Sequence, residues 1–219
     1  MPVINLLAVT AAACTWCLAI LGFRISTAGN LQFVFLGWNL FLAVIPLGLA
    51  LLLHSSSRAG RWSLGLPLVS GWLLFFPNAP YVLTDLIHLR ARAGVPLWYD
   101  LLMILSFALV SLWMGFQSLH LVQVWIARRT STGMGWCFAG TCMMLCGFGI
   151  YLGRFLRWNS WDIVSHPLPL LADIWSRLSE PASHPQTWGV TLGFGGLLML
   201  GYLFWLSPAA RTTSPLHAD

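Results

Sequence analysis

The chain contains no lysine, and all eleven of its basic residues are arginine. A retinal or pyridoxal Schiff base and a P-loop lysine each need that amine, so those chemistries are excluded. Charge is scarce altogether, at 8% of residues. The formal charge of +5 is spread over many loops with no basic tract, which reads as membrane topology and gives no sign of a nucleic-acid partner. No Gly-x-Ser-x-Gly elbow, His-Glu-x-x-His pair or glycine-rich phosphate loop occurs, so the standard hydrolase, zincin and nucleotide-binding signatures are missing. No internal repeat or low-complexity tract is found either. The five cysteines lie in or beside apolar runs, where thiols act as small hydrophobes. Cys14-x-x-Cys17 stands without a second pair and reads as packing thiols.

What the chain has in abundance is apolar sequence: 58% of residues are hydrophobic and the mean hydropathy is +0.78. Nearly uncharged windows of about 20 residues, enough to cross about 30 Å of hydrocarbon, fall at approximately 3–23, 31–53, 62–80, 98–126, 134–153 and 186–207. These predict an all-α integral membrane protein of about six transmembrane helices, with short interfacial amphipathic helices after spans three and five. The expectation is a single polytopic membrane domain over residues 1–207 and a short polar tail at 208–219. The run from Val3 to Phe23 has no basic residue before it and reads as an uncleaved first helix. Trp62, Trp98, Tyr99, Trp136 and Trp188 near the window ends suit interfacial anchoring.

With six spans the termini share a side with the loops around 54–61 and 127–133. Arg58, Arg61, Arg128 and Arg129 sit in those loops with no acid nearby, so the positive-inside rule places both termini in the cytoplasm of a cell membrane.

Two polar islands interrupt the apolar sequence: Phe75 to Leu89 (FFPNAPYVLTDLIHL) and Tyr151 to Asp162 (YLGRFLRWNSWD). Charge beside hydrocarbon is costly, so the islands mark a candidate site, and each follows an odd-numbered span. In the first, Pro77 and Pro80 remove backbone donors within four residues and should break the helix. Asn78 between them can satisfy backbone groups left unpaired by the prolines, and is also carried as a ligand-side candidate. Tyr81 to Arg92 then reads as an amphipathic helix, with Tyr81, Thr84, Asp85, His88 and Arg92 on one face and Val82, Leu83, Leu86 and Leu89 on the other. Asp85 and His88 could hold a divalent metal, or the carboxylate could orient a general-base imidazole. The plainer alternative is an acid and an imidazole solvated at a helix surface.

In the second island, Arg154 and Arg157 project to one side if the fifth helix continues, making a plausible anion clamp. Trp158 and Trp161 would flank that face, and Asn159 and Asp162 complete the island. Bridges from the two arginines to Asp85 and Asp162 are the structural alternative. Asp162 and His166 form a second acid–imidazole pair, so that four ligands could in principle gather with Asp85 and His88, although Pro167 disfavours helix at His166. After Pro169 a second amphipathic helix is expected, with Leu170, Leu171, Ile174, Trp175 and Leu178 on its apolar side, Asp173 and Arg177 opposite, and Pro181 ending it.

Gln117, His120 and Gln123 form a polar stripe in the fourth span. The stripe either lines a path or makes interhelical hydrogen bonds, and Asn39 in the second span reads the same way. Gly133, Gly135, Gly140, Gly147, Gly149 and Gly153 make the fifth span a close-packing seam.

The strings at 76–89 and 151–162 resemble the bacterial multi-pass membrane family catalogued as domain of unknown function 1361, over roughly residues 40 to 200. The resemblance implies a polytopic membrane protein and supplies no catalytic role. It implies that Asn78, Asp85, His88, Arg154, Arg157, Asn159 and Asp162 occupy motif positions. Three function classes follow from the residues. One is an enzyme acting on a lipid or lipid-linked phosphate, with the arginines binding anion while Asp85, His88 and Asp162 do acid–base or metal work. The others are a small transporter and an accessory subunit whose islands are internal locks.

Overall fold

The computed structural model describes residues 3–58, 64–91 and 94–211. The elements in chain order are α1 (Val3–Ala28), α2 (Val34–Arg58), α3 (Gly65–Phe75), α4 (Asn78–Tyr81), a 3-10 helix (Val82–His88), α5 (Leu97–Ala127), α6 (Thr132–Phe155), α7 (Asp162–Ser165), α8 (Pro167–Ser179), a 3-10 turn (Pro181–Ser183) and α9 (Pro185–Arg211). Among the described residues six stretches are long and apolar enough to cross a membrane: Ile4–Ala28, Val34–Ser56, Gly65–His88, Leu97–Ala127, Thr132–Phe155 and Pro185–Ser207. The expected windows are all there, and the protein is an all-α multi-pass membrane protein. Large apolar side chains such as Trp16, Phe23, Phe41, Leu102, Leu109 and Phe204 are exposed along these helices. In water so much exposed hydrocarbon would drive association, whereas a bilayer solvates it at no cost.

The chain packs as two compact units, Met1–Ser131 and Thr132–Asp219. In the first, α2 packs on α5 and α3, and α1 packs on α5. Its core is built from residues buried at the helix contacts, among them Leu36, Ala43, Met103, Ile104, Phe107 and Met114. Gly29, at φ 63°, ends α1 by donating its N–H back to the Ile25 carbonyl at 2.9 Å, a left-handed cap that costs glycine little.

In the third span the α-helix is interrupted at the prolines as expected: α3 ends at Phe75 and α4 begins at Asn78. Phe76 and Pro77 keep helical dihedrals, so the backbone continues through them into α4. What changes is the hydrogen bonding. The Ala79 N–H shifts to the Phe76 carbonyl at 3.2 Å, which leaves the Phe75 carbonyl without its usual donor. Asn78 Nδ2 supplies one at 3.0 Å, the turn-organising role expected of it. The elbow seats against α5 at Gly115, where an added Cβ would lie 3.1 Å from that of Ala79.

Beyond Tyr81 the chain tightens to a 3-10 helix and stops at His88, with Leu89 extended. The α-helix expected over Tyr81–Arg92 is therefore corrected (Arg92 itself lies outside the described residues). Three residues per turn, in place of 3.6, put Val82, Asp85 and His88 in line. Val82 and Asp85 are 0% and 1% exposed, so the carboxylate shares the inward face with a valine expected opposite it.

In the second unit α6 packs along α9. The seam expected of the fifth span closes at Gly147, where any Cβ would collide with the Thr191 carbonyl oxygen and meet the Gly195 nitrogen at 3.0 Å. Only hydrogen fits between the two backbones there.

Candidate functional site

In the first unit, the sequence candidates meet where α2 begins and the 3-10 helix ends. Asn39 Nδ2 donates to Asp85 Oδ2 at 2.8 Å, joining the second span to the third. Asn39 is thus an interhelical hydrogen-bond donor, one of the two uses expected of it. Asp85 is not solvated at a helix surface, and a carboxylate this buried depends on such bonds. His88, one turn on, is half-buried and stands edge-on to Phe35 of α2, with ring centroids 5.3 Å apart.

A second buried carboxylate at the same end was not anticipated. Arg24, near the end of α1, donates from Nε to Asp100 Oδ1 at 3.0 Å, and both side chains are 1% exposed. Arg24 also donates from Nη1 to Asn30 Oδ1 at 3.3 Å and lies 5.2 Å over the Phe33 ring. One donor, Arg24 Nη2, and one acceptor, Asp100 Oδ2, are buried without a hydrogen-bond partner. The signal was available. Arg24 is the single charged residue before Arg58, and Asp100 is the single charge within Leu97–Ala127. Each taken alone resembles an ordinary window-edge charge, and only the packing of α1 on α5 makes them a pair.

The second island forms a loop instead of extending the fifth helix. α6 ends at Phe155, Arg157 takes φ 64°, and the Trp158 N–H turns back to the Leu152 carbonyl at 3.1 Å. The helical face expected to carry Arg154 and Arg157 together ends before Arg157. Arg154 is half-buried in the last turn, and Arg157 is exposed beyond it. Trp158 does not flank that face either: its Nε1 donates to Asp173 Oδ2 on α8 at 2.8 Å. Trp161, 42% exposed, precedes α7.

Asp162 closes this loop. Its Oδ2 accepts from the Asn159 backbone N–H at 2.7 Å and from Asn159 Nδ2 at 3.3 Å, and its Oδ1 accepts from Ser165 Oγ at 3.0 Å. The Asn159 N–H above all holds the Asp162 carboxyl below the usual carboxylate range, against the opposing effect of burial. Asn159, expected on the ligand side, spends both of these donors on Asp162. His166 Nδ1 lies 3.7 Å from Asp162 Oδ1, with its ring 65% exposed. Among the described residues no three His, Cys, Asp or Glu side chains gather to hold a metal ion; of the four ligands considered, Asp85 and His88 belong to the first unit and Asp162 and His166 to the second.

α8 carries the expected ion pair, Arg177 Nη1 to Asp173 Oδ1 at 2.7 Å, but orients it inward. Leu170 is buried, and Asp173, Ile174 and Arg177 are half-buried beside it. Leu168, Leu171, Trp175 and Leu178 point outward, between 51% and 77% exposed. The apolar side expected of this helix is therefore divided, Leu170 and Ile174 turning to the protein and the rest away from it. The Trp158–Asp173 bond explains the orientation, since it draws the polar edge onto the loop.

No curated protein and no solved structure matches the chain. A family model does match, over residues 38–200, which take in both islands, the third to fifth apolar spans whole and most of the second and sixth. The chain belongs to the family described as protein of unknown function (DUF1361).

Proposed function

We propose that the chain is an accessory or structural membrane subunit whose polar motifs are internal locks. The observation that carries this reading is the state of Asp85: 1% exposed and bonded to Asn39 across two spans, it serves helix packing. Asp100, Asp162 and Asp173 follow the same pattern, each engaged by an arginine or by loop donors. In this reading the protein sits in the cell membrane with both termini in the cytoplasm. α8 lies along the interface with Leu168, Leu171, Trp175 and Leu178 toward lipid.

The test is complementation of a deletion strain combined with protein accumulation. Asp85→Asn keeps a side chain able to bond Asn39, and the lock reading expects a folded, complementing protein. Asp85→Ala should fail to accumulate. A folded, inserted Asp85→Asn protein that does not complement would overturn the reading in favour of chemistry at the carboxylate.

One observation favours a second reading, an enzyme on a lipid or lipid-linked phosphate. Arg157 holds a left-handed backbone that costs a non-glycine residue about 1–2 kcal/mol, and strain of this kind gathers at ligand sites. Arg157→Gly relieves it. Under the lock reading that variant complements fully; loss of complementation with a stable fold supports an anion contact by the guanidinium.

A further inference from the structure

A cavity of about 260 Å3 opens in the first unit where α1 begins and α2 and α5 end. Its polar lining is Arg128, Arg129, His54, His120 and Gln117, and no Asp or Glu is among its described lining residues. Gln117 and His120 belong to the stripe of the fourth span. Gln123, the third member, is 7% exposed and does not line the cavity. Leu6, Leu121 and Val124 contribute an apolar wall.

The cationic side is built, not merely adjacent. Trp125 is wedged against Gly65, where a Cβ would meet the ring at 2.6 Å. The Arg129 guanidinium lies over the Trp125 ring, 3.9 Å from its centroid, with Nη1 donating to the Trp125 carbonyl at 3.1 Å. Stacking of this kind fixes the plane of the guanidinium before any ligand arrives.

We propose that this cavity binds a phosphate ester through Arg128 and Arg129, with the imidazoles and Gln117 as further donors and the apolar wall receiving the ester's carbon stem. Arginine forks match phosphate oxygens in geometry and charge. The volume is slightly below that of pockets that enclose drug-sized molecules, roughly 300 Å3 upward, so it suits a headgroup or a small ester and leaves an acyl chain outside. A lipid headgroup and a soluble phosphate ester share this chemistry. No residue of either polar island is among its described lining residues, and the site does not rest on the lock reading.

The test uses the full-length protein with two probes. Retention of phosphatidylglycerol against phosphatidylcholine is read by native mass spectrometry after reconstitution from mixed vesicles, and binding of inorganic phosphate by titration calorimetry in detergent. Arg128 is exposed, so Arg128→Gln leaves the fold intact, which an unchanged melting temperature verifies. Loss of a charge-assisted contact predicts binding weakened by about tenfold or more. Val124→Phe fills the cavity with every charge in place and should weaken binding to a similar degree, whereas loose electrostatic attraction would survive it. Selective phosphatidylglycerol retention that both variants lose identifies a lipid as the source. Saturable phosphate binding without lipid selectivity, lost in both, identifies a soluble ester. Equal binding of both probes by wild type and variants, or no saturable binding of either, overturns the proposal.

Discussion

Where α1 ends and α5 begins, Arg24 and Asp100 are each 1% exposed and bonded to each other at 3.0 Å, with the Asn39–Asp85 bond in the same unit. About 30 Å farther along α5, at 1.5 Å rise per residue, His120 is followed by Arg128 and Arg129 around a cavity whose described lining has no acid. The first end spends its charge on holding helices together, and the second gathers cationic groups along the wall of a cavity. The difference teaches how to read rare charge in a membrane protein. A buried charge with a partner belongs to the fold, and cations that line a cavity mark where a ligand is to be sought.

The comparison breaks or sharpens through substitutions at both ends. The largest effect is expected at the Arg24–Asp100 pair. Asp100→Leu alone leaves a buried guanidinium uncompensated and should cost about 3–5 kcal/mol, seen as loss of folded protein on thermal unfolding in detergent. Arg24→Met combined with Asp100→Leu should recover most of that stability. If the single and double variants are equally unstable, the pair is not the lock described here. Next comes the Asn39–Asp85 bond: Asn39→Leu leaves the carboxylate short of a donor and should cost about 1.5–3 kcal/mol, measured in the same way.

Asn78→Ala removes the donor to the Phe75 carbonyl and should cost about 1 kcal/mol. At the cavity end, Arg128→Gln should change stability by less than about 0.5 kcal/mol. A large loss there would mean that these cations are structural too, and the contrast between the two ends would fall.

The second unit provides a pH test of the lock idea. Asp162 has a folded pKa below its unfolded value of about 4. Its stabilising contribution is therefore complete above that unfolded value and fades as pH falls through the folded one. Melting temperatures of wild type and Asp162→Asn should differ at pH 6 and converge toward pH 3. A gap that is independent of pH would show that the loop does not depend on the ionised carboxylate.

The spans were legible because hydrocarbon thickness sets a length and apolar composition meets it, independently of packing. The Asn78 role was legible because proline chemistry is local. The helical face assigned to Asp85 was not, because 3-10 and α spacing differ by 0.6 residue per turn, and tertiary packing of the elbow on Gly115 decides between them. The turn at Arg157, two residues past the end of α6, could not be read, since nothing in its side chain announces a left-handed backbone. The cavity escaped detection because its lining comes from three helices distant in sequence.

Sequence alone determined that this chain spans a membrane, where its helices run and which few residues carry charge, since transfer free energy depends on composition along a single helix. Tertiary structure decided which of those charges pair. Arg24 finds Asp100 and Asn39 finds Asp85 only because α1 packs on α5 and α2 against the third span. An electrostatic bond is a matter of a few ångströms between segments far apart in sequence, and that distance is fixed only when the helices pack.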